Sequence, residues 1–355
     1  EMLAEVEFDA LSNVTSDAAH APVSLRAIAA GRHVLCEKPL ATNYPDARRM
    51  AAAAKRKGVV SMVNFSYRNS AAIHRAHDMI RRGDIGRVMH VEASYLQSWL
   101  TSSHWGDWRS GSAWLWRLST AHGSKGVLGD IGVHIIDFAS YAAGDIRSVN
   151  CRLKTFPKAR GDRIGEYRLD ANDSAVITVE TADGAIGTIH TTRWATGHKN
   201  SLLLRVYGEE GGIIVDLDRS YTELQVCRGR NIRTQEWSTV RCAATPTIYQ
   251  RFIKSIRTGV NDQPDFARGA AVQKVLDACF ESDAEGRGLG DLVDVILRGE
   301  HREADGHLGA GPSACDEGEG RAEQGQQDRQ GEEVGVAHAV ASSSSAVVVD
   351  WVSGS

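Results

Sequence analysis

Residues 6–36 read VEFDALSNVTSDAAHAPVSLRAIAAGRHVLC, and this stretch decides the fold class of the chain. Its first apolar run ends at Val14, and the Thr-Ser-Asp sequence at 15–17 that follows is typical of a helix N-terminus. Gly31 marks the end of that helix, since glycine readily adopts the left-handed conformation found there. A second apolar run at 33–36 follows at once. The stretch therefore predicts a strand, a helix and a second strand.

The same alternation continues further along the chain. A helix is predicted over 46–57 with Gly58 as its stop signal, and a third strand is predicted over 59–65. Strands separated by helices in this way are joined by right-handed crossovers and form a parallel sheet. We therefore predict an α/β unit at the beginning of the chain.

The pattern changes after a helix predicted over 71–82. Strand-like runs then follow one another, and short turns such as Ala-Asp-Gly at 182–184 join some of them. The runs are 88–95, 174–181, 185–194, 201–207, 212–217 and 223–227. Consecutive strands without intervening helices imply a mostly antiparallel sheet, and hence a second unit of α+β type. Helices over 247–258 and 264–282 complete this unit.

The composition argues against several classes of protein. Of the 355 residues 42% are hydrophobic and 24% charged, as in ordinary globular domains and unlike collagens or wholly disordered chains. No uncharged apolar stretch approaches the roughly 18 residues of a membrane helix, and residues 1–10 do not resemble a secretory signal, so we expect no membrane partner. No basic run interleaved with aromatics points to nucleic acid. Six scattered cysteines without a C-x-x-C pair indicate a reducing compartment, and we expect a cytoplasmic location.

The last part of the chain has a different composition. Residues 288–355 contain 13 acidic and 4 basic residues, 12 glycines, and no lysine, phenylalanine or tyrosine. Such a segment has too little apolar area to offset the entropy of ordering it, so we expect a tail of low order. The abrupt change also leads to the hypothesis that this tail is non-native and unrelated to the fold, as after a frameshift.

Two local patterns carry groups suited to catalysis. The first is GRHVLCEKPLA at 31–41, where a predicted strand ends in a Glu-Lys-Pro turn. Ligands of open parallel sheets bind beyond the carboxyl ends of the strands, and a lysine there can bind a substrate hydroxyl and favour its alkoxide. Because most lysines are exposed, Lys38 is also open to interpretation as a solvated residue beside a rigid turn.

The second pattern is GVLGDIGVHIID at 126–137. Asp130, His134 and Asp137 follow one another at i, i+4 and i+7, so on a helix they share one face. Asp130 near the helix N-terminus would stay ionised and could orient His134, whose neutral imidazole is a suitable general base near pH 7. Two other interpretations remain open at this point: a capping aspartate with a satisfied core histidine, or a metal-binding pair.

These patterns occur in a recognisable order along the chain. They are NVTS at 13–16 with His20, HVLCEKPLA at 33–41, NFSYR at 64–68, GDIG at 83–86 and GVLGDIGVHIID at 126–137. In this order they resemble the Gfo/Idh/MocA family of NAD(P)-dependent sugar and polyol oxidoreductases. The similarity continues to about Arg287.

The resemblance implies roles for individual positions. The lysine of the Glu-Lys-Pro turn and the Asp-x-x-x-His pair are the implied catalytic residues, which are Lys38, Asp130 and His134. The implied site for NAD or NADP is lined by Thr15, Ser16, His20, Glu37 and Lys38. The implied contacts to a sugar or polyol come from Tyr67, Arg68 and Asp137. No metal is expected.

An aromatic segment suggests further substrate contacts. In the sequence Trp-Leu-Trp-Arg at 114–117, Trp116 could stack on a sugar ring and Arg117 could donate to its hydroxyl groups. Packing in the core or in an interface is the alternative role for these tryptophans. Arg193, Trp194 and His198 could reach the same cleft from the second sheet.

The resemblance also predicts the architecture, an α/β unit joined to an α+β unit. A partial Rossmann domain is expected over 1–70, a substrate and oligomerisation domain with a mostly antiparallel sheet over 71–287, and the low-order tail over 288–355. Within the second domain, the helix over 264–282 is expected to pack back against the rest of the fold. The sequence contains no G-x-G-x-x-G, and its first strand looks like the fourth of a Rossmann sheet. We therefore expect an N-terminally truncated member that has an uncovered sheet edge and could itself be inactive.

The expected activity is hydride transfer between a nicotinamide and a secondary alcohol of a cyclic sugar or inositol-like polyol. One alternative is an NAD-dependent glycoside hydrolase of the same fold. A second is a non-catalytic sugar-binding or regulatory homologue, although the presence of Lys38, Asp130 and His134 together argues against it. A homo-oligomer, a dimer or tetramer when full length, is also expected.

Overall fold

The computed structural model describes residues 6–110, 112–286, 336–342 and 345–347. The first part of the chain forms, in order, β1 (Ala10–Asn13), α1 (Asp17–Ala29), β2 (His33–Cys36), α2 (Tyr44–Lys57), β3 (Ser61–Val63), a 3-10 turn (Ser66–Asn69) and α3 (Ala71–Arg81). Strands β1, β2 and β3 pair side by side in parallel. The predicted parallel sheet is thereby confirmed.

Local sequence signals explain where these elements begin and end. Helix α1 begins after Ser16 and is followed by Gly31, whose φ of 77° is the left-handed conformation expected after a helix. Helix α2 begins two residues earlier than predicted. The reason is that the Asn43 side chain accepts a hydrogen bond from the Asp46 N–H at 2.9 Å and caps the helix.

The second part of the chain builds a larger sheet. Its elements in order are β4 (Val88–Gln97), α4 (Ser112–Leu115), 3-10 turns (Trp116–Leu118 and Thr120–His122), a π-helical turn (Leu128–Gly132), α5 (Val133–Ala143), β5 (Ile146–Lys154), a 3-10 turn (Arg160–Asp162), β6 (Arg163–Ile164), β7 (Tyr167–Arg168), β8 (Ser174–Thr181), β9 (Ile186–Thr192), β10 (Asn200–Gly208), β11 (Gly211–Asp216), β12 (Glu223–Arg228), α6 (Asn231–Thr234), β13 (Ser238–Arg241), α7 (Ile248–Thr258) and α8 (Phe266–Glu285). The strand order is β13-β12-β11-β10-β4-β9-β8-β5.

This second sheet is mostly antiparallel, as predicted, with one parallel pair between β4 and β9. Helix α5 packs against β4, β9 and β10, so one face of the sheet belongs to the core. The sequence did not predict β5 at one edge or β13 at the other. In β5 the polar residues Arg147, Asn150 and Arg152 interrupt the apolar runs by which strands are recognised.

Helix α8 contacts helix α2 and one strand of each sheet, β3 and β5. The Asp277 carboxylate accepts a hydrogen bond from the Tyr44 N–H at 2.6 Å, and Ser282 Oγ accepts one from the Cys151 N–H at 2.9 Å. Near the helix start, Gly269 lies so close to Leu40 and Val63 that a β-carbon would come within 2.7 Å of each side chain. A glycine is therefore needed where this helix crosses the first sheet.

Two strands from the last part of the chain extend the first sheet. β14 (Val336–Ser342) pairs in parallel with β1, and β15 (Ser345–Val347) pairs antiparallel with β14. The edge of β1 that was expected to be uncovered is therefore paired. The physical reason is that this edge exposes backbone hydrogen-bonding groups, which an uncharged segment can satisfy. The rest of the predicted tail lies outside the described residues.

Candidate active site

A cavity of about 910 Å³ separates the first sheet from the segment around Trp116 and Asp130. From the first sheet its wall includes Thr15, Ser16, Asp17, His20, Glu37 and Lys38. The opposite wall includes Trp116, Arg117, Thr120, Lys125, Asp130 and Phe280. The structure thus brings together all five positions of the predicted cofactor set and three of the other predicted site residues.

The parallel sheet explains why the first wall is polar. Residues 14–16 follow β1 and Glu37-Lys38 follows β2, so both loops lie at the carboxyl edge of the sheet, where ligands of such sheets bind. Asn13, completely buried at the end of β1, supports this edge. Its Nδ2 donates to the His20 carbonyl oxygen at 3.0 Å, and its Oδ1 accepts from Thr15 Oγ1 at 2.7 Å. A polar residue at the end of an apolar strand is the sequence signal from which this role of Asn13 could have been predicted.

His20 holds the two loops together. Only 1% of the residue is exposed, and its ring nitrogens lie 2.7 Å from the Pro39 carbonyl oxygen and 3.1 Å from the Thr15 carbonyl oxygen. These carbonyls belong to the loops after β2 and β1. The His20 ring therefore shapes this wall of the cavity by binding the backbone of both loops.

Lys38 points across the cavity to Asp130. Its Nζ donates to the Asp130 carbonyl oxygen at 2.7 Å and lies 3.3 Å from Asp130 Oδ1. The side chain is only 20% exposed, so the interpretation of Lys38 as a solvated surface residue is wrong. An ammonium group has three hydrogens, and two of them face Asp130 in this arrangement.

Asp130 is surrounded by cations. Its Oδ2 accepts a hydrogen bond from Arg193 Nη2 at 3.0 Å, and Arg117 Nε lies 4.0 Å away. Burial opposes ionisation of this carboxyl, but the charges of Lys38, Arg193 and Arg117 outweigh burial and hold the pKa of Asp130 well below its usual range. Asp130 is therefore a carboxylate at neutral pH.

The hypothesis that Asp130 orients His134 is wrong. The hydrogen bonds of the carboxylate go to Lys38 and Arg193, because charged partners bind a carboxylate more strongly than a neutral ring does. The backbone also differs from the predicted regular helix. Asp130 lies in the π-helical turn Leu128–Gly132, a feature that is frequent at functional sites.

His134 is a buried, neutral imidazole that, like Tyr67, is not among the residues lining the cavity. The residue is 8% exposed, and its ring contacts Tyr67 edge-on with 5.0 Å between ring centres. Burial lowers the pKa of His134 to about 3, and the positive charge of Lys38 adds to this effect. Its Nδ1 has no hydrogen-bond partner in the described part of the protein, unlike that of a satisfied core histidine. Among the described residues there is also no group of three potential ligands to support the metal interpretation.

A hydrogen-bond network fixes the hydroxyl of Tyr67 next to His134. Asn200 Nδ2 donates to the Tyr67 hydroxyl at 2.7 Å, and Asn200 Oδ1 accepts from the Tyr95 hydroxyl at 2.6 Å and from Gln97 Nε2 at 2.8 Å. The two tyrosine hydroxyls also bond to each other. Because the proton of Tyr95 is directed to Asn200, Tyr67 is the donor in that bond. Tyr67 therefore retains accepting capacity for a further hydroxyl group.

The structure places Arg68 and Asp137 in the core and not on the cavity wall. Arg68 Nε and Nη2 donate to the two Asp137 oxygens at 2.6 and 2.8 Å, and Arg68 is completely buried. Arg268 Nε donates to Asp137 Oδ1 at 2.9 Å. Burial opposes ionisation of Asp137, but the two arginines outweigh it and lower its pKa. Because Arg68 and Asp137 bind each other inside the core, the pair has a structural role.

Trp116 and Arg117 do face the cavity. Trp116 is 37% exposed, and Arg117 Cζ lies 4.6 Å from the Trp116 ring centre and 5.5 Å from that of Trp114. Behind them, Trp99, Trp108 and neighbouring leucines form a small apolar cluster separate from the main core. The cluster supports an aromatic wall opposite the first sheet.

The walls suit the nicotinamide end of a dinucleotide. Pro39, Trp116 and Phe280 offer flat apolar surface, while Thr15 and Glu37 offer hydrogen-bonding groups, and the volume lies in the range of about 300–1,000 Å³ usual for ligand sites. The sequence has no G-x-G-x-x-G loop for the diphosphate. The fit of the described residues therefore covers the nicotinamide end only.

Sequence comparison gives independent information. Residues 1–65 match the profile of an oxidoreductase family with an NAD-binding Rossmann fold, and residues 73–214 match the profile of the GFO/IDH/MocA C-terminal domain. The levoglucosan dehydrogenase of Pseudarthrobacter phenanthrenivorans is 32% identical over 302 residues, which is 75% of each chain. The 1,5-anhydro-D-fructose reductase of Ensifer adhaerens is 31% identical over 243 residues, 66% of this chain and 61% of that one.

Structural comparison agrees. A levoglucosan dehydrogenase in complex with NADH and levoglucosan superposes with a TM-score of 0.72 at 28% sequence identity, over 82% of each chain. The predicted fold class is confirmed by this similarity. Separately, no helix in the described ranges combines the length and apolar character needed to cross a membrane.

Proposed function

Because this chain belongs to the Gfo/Idh/MocA family of NAD(P)-dependent oxidoreductases, we propose that it transfers hydride between the nicotinamide and a secondary alcohol of a cyclic sugar. The observation that carries the proposal is the contact of Lys38 with Asp130 across the cavity, at 2.7 and 3.3 Å, beside the neutral His134. This arrangement puts a cation and a proton acceptor at the carboxyl edge of the parallel sheet.

Lys38 has the role of binding the reacting oxygen. Two of its N–H groups face Asp130, which leaves the third for a substrate hydroxyl. As the hydroxyl loses its proton, negative charge develops on the oxygen, and the ammonium stabilises that charge. Asp130 keeps the lysine directed at this point.

His134 has the role of accepting the hydroxyl proton. Its pKa of about 3 keeps the ring neutral at physiological pH, and a neutral ring has one nitrogen that can accept a proton. The nicotinamide supplies the hydride acceptor when bound, and Thr15, Ser16 and Glu37 are the residues that would hold it. In the reverse direction His134 returns the proton.

The substrate class follows from the aromatic wall and from Tyr67. An exposed tryptophan beside an arginine suits a sugar ring, because the ring carbons pack on the indole and the guanidinium donates to hydroxyl groups. Tyr67 can accept a hydrogen bond from a further sugar hydroxyl, as its own proton is directed to Tyr95. We infer that Trp116, Arg117 and Tyr67 contact the substrate, and we omit Arg68 and Asp137 from this set. Levoglucosan, with which a similar enzyme has been crystallised, is the first sugar to test.

The proposal is tested with Lys38→Ala and His134→Ala. Each variant should lower kcat on the order of a hundredfold or more, because each loses a group that acts in the transition state. Turnover is followed by NAD(P)H absorbance with levoglucosan, inositols, glucose, galactose and xylose, and product analysis separates oxidation from glycoside hydrolysis. Lys57→Ala, which changes an exposed lysine at the end of α2, should retain wild-type turnover. Unchanged turnover in both site variants would refute the assigned roles.

A further inference from the structure

Arg193 is a completely buried cation that directly follows β9. Its Nη2 donates to Asp130 Oδ2 at 3.0 Å, and its Nη1 donates to the Arg117 carbonyl oxygen at 3.0 Å. Its Cζ lies 4.9 Å from the centre of the Trp99 ring. A buried guanidinium needs a charged partner to offset the loss of hydration, and Asp130 is that partner.

Asp130 connects Arg193 to Lys38. One carboxylate oxygen, Oδ2, is bound by Arg193, while Oδ1 and the carbonyl oxygen face Lys38. A carboxylate bound at both oxygens cannot rotate without breaking a contact. Arg193 therefore fixes Oδ2, the carboxylate oxygen that does not face Lys38. Because the carboxylate group is planar and rigid, this also fixes Oδ1, the oxygen that faces Lys38.

The two ends of this contact differ in backbone structure. Asp130 lies in a π-helical turn between Gly129 and Gly132. Arg193 is joined to the second sheet, since its N–H donates to the Asp173 carbonyl oxygen at 3.0 Å. The residue joined to the regular sheet can thus position the one in the irregular turn.

We propose that Arg193 is a positioning residue for the reaction, because it fixes the Asp130 carboxylate and thereby directs the Lys38 ammonium toward the substrate oxygen. This inference rests on the proposed function, in which Lys38 binds that oxygen. Arg193 touches neither the oxygen nor the nicotinamide in this arrangement; it acts through Asp130.

Arg193 also supplies part of the positive charge around Asp130. The cations that face this carboxylate are Lys38, Arg193 and Arg117. Without Arg193, Oδ2 of Asp130 loses the donor of its hydrogen bond, and the carboxylate can turn away from Lys38.

The experiment compares the wild type with Arg193→Met and Arg193→Lys. In Arg193→Met, kcat should fall by about tenfold to a hundredfold, with KM changed by less than about threefold, since the substrate contacts remain. Arg193→Lys keeps a cation that can bind Asp130 and should restore most of kcat. It also keeps the test open if Arg193→Met does not fold.

Arg251→Met is the matched control. Arg251 is also a buried arginine, and it pairs with Asp262 at 2.8 and 3.0 Å from α7, outside the cavity. This variant should lose thermal stability and retain the wild-type kcat. An unchanged kcat in Arg193→Met, or an equal loss of kcat in Arg251→Met, would overturn the role of Arg193. A wild-type protein that oxidises no sugar would instead refute the proposed function.

Discussion

At the residue scale, His134 shows how burial determines the chemistry of a side chain. An exposed histidine is partly charged near neutral pH, but this ring is 8% exposed and lies within reach of the Lys38 charge. Both conditions favour the neutral form, which is the form that accepts a proton.

The low pKa of His134 makes stability depend on pH. Its folded value of about 3 lies below the ordinary 6.5 of the unfolded chain, so between these values the unfolded state binds the proton first. The free energy of unfolding should therefore fall as the pH is lowered from about 6.5 toward 3. His134→Gln removes this contribution, and urea unfolding from pH 4 to 7 should show a flatter dependence than in the wild type. His104→Gln, at an exposed position, is the control. Parallel curves for the wild type and His134→Gln would contradict the buried, neutral state.

At the element scale, α8 shows why a helix that packs on two sheets restricts its own sequence. The helix crosses the first sheet at Gly269 and reaches the second sheet at Ser282. Intrinsic helix propensity favours alanine over glycine by about 1 kcal/mol. The close approach to Leu40 and Val63 overrides that preference.

Gly269→Ala should therefore destabilise the protein in spite of its better propensity. The new methyl group would lie 2.7 Å from side-chain carbons of Leu40 and Val63, and moving these buried residues costs about 1–3 kcal/mol. Thermal unfolding measures the result. Ala267→Gly, at an exposed position of the same turn, isolates propensity and should cost about 1 kcal/mol. A more stable Gly269→Ala protein would mean that α8 lies further from the sheet.

At the scale of the whole molecule, a buried ion network joins the two units. Arg68 comes from the 3-10 turn after β3, Asp137 from α5 and Arg268 from α8, and both arginines bind the one carboxylate. The network holds the helices that carry the candidate site against the first sheet.

Asp137→Asn should destabilise the whole molecule, because it leaves Arg68 in the core without an anion and Arg268 with only the exposed Asp145. Removing one partner of a buried pair typically costs about 3–5 kcal/mol. Asp145→Asn is a matched control, since Asp145 also binds Arg268, at 2.8 Å, but is 75% exposed. That change should cost less than about 1 kcal/mol. Equal losses in denaturant unfolding would contradict the assignment of Asp137 to the core network.

Much of this protein could be derived from local sequence. Alternating apolar runs and helix end signals predicted the order of the strands and helices, and the rule for parallel sheets predicted that Lys38 lies at the ligand-binding edge. Those signals are local because backbone hydrogen bonding and helix capping involve residues close in the chain. The weakly apolar β5 was missed for the same reason.

Only the tertiary structure decided how the charged residues pair. Asp130 binds Lys38 and Arg193 instead of orienting His134, and Asp137 binds two arginines in the core instead of facing the cavity. Such choices depend on which cations the packed elements bring within about 4 Å, a distance at which charge pairing in a protein outweighs local spacing. The sequence by itself therefore determined the elements and the edge of the sheet where the site lies, whereas packing determined the partner of each charge.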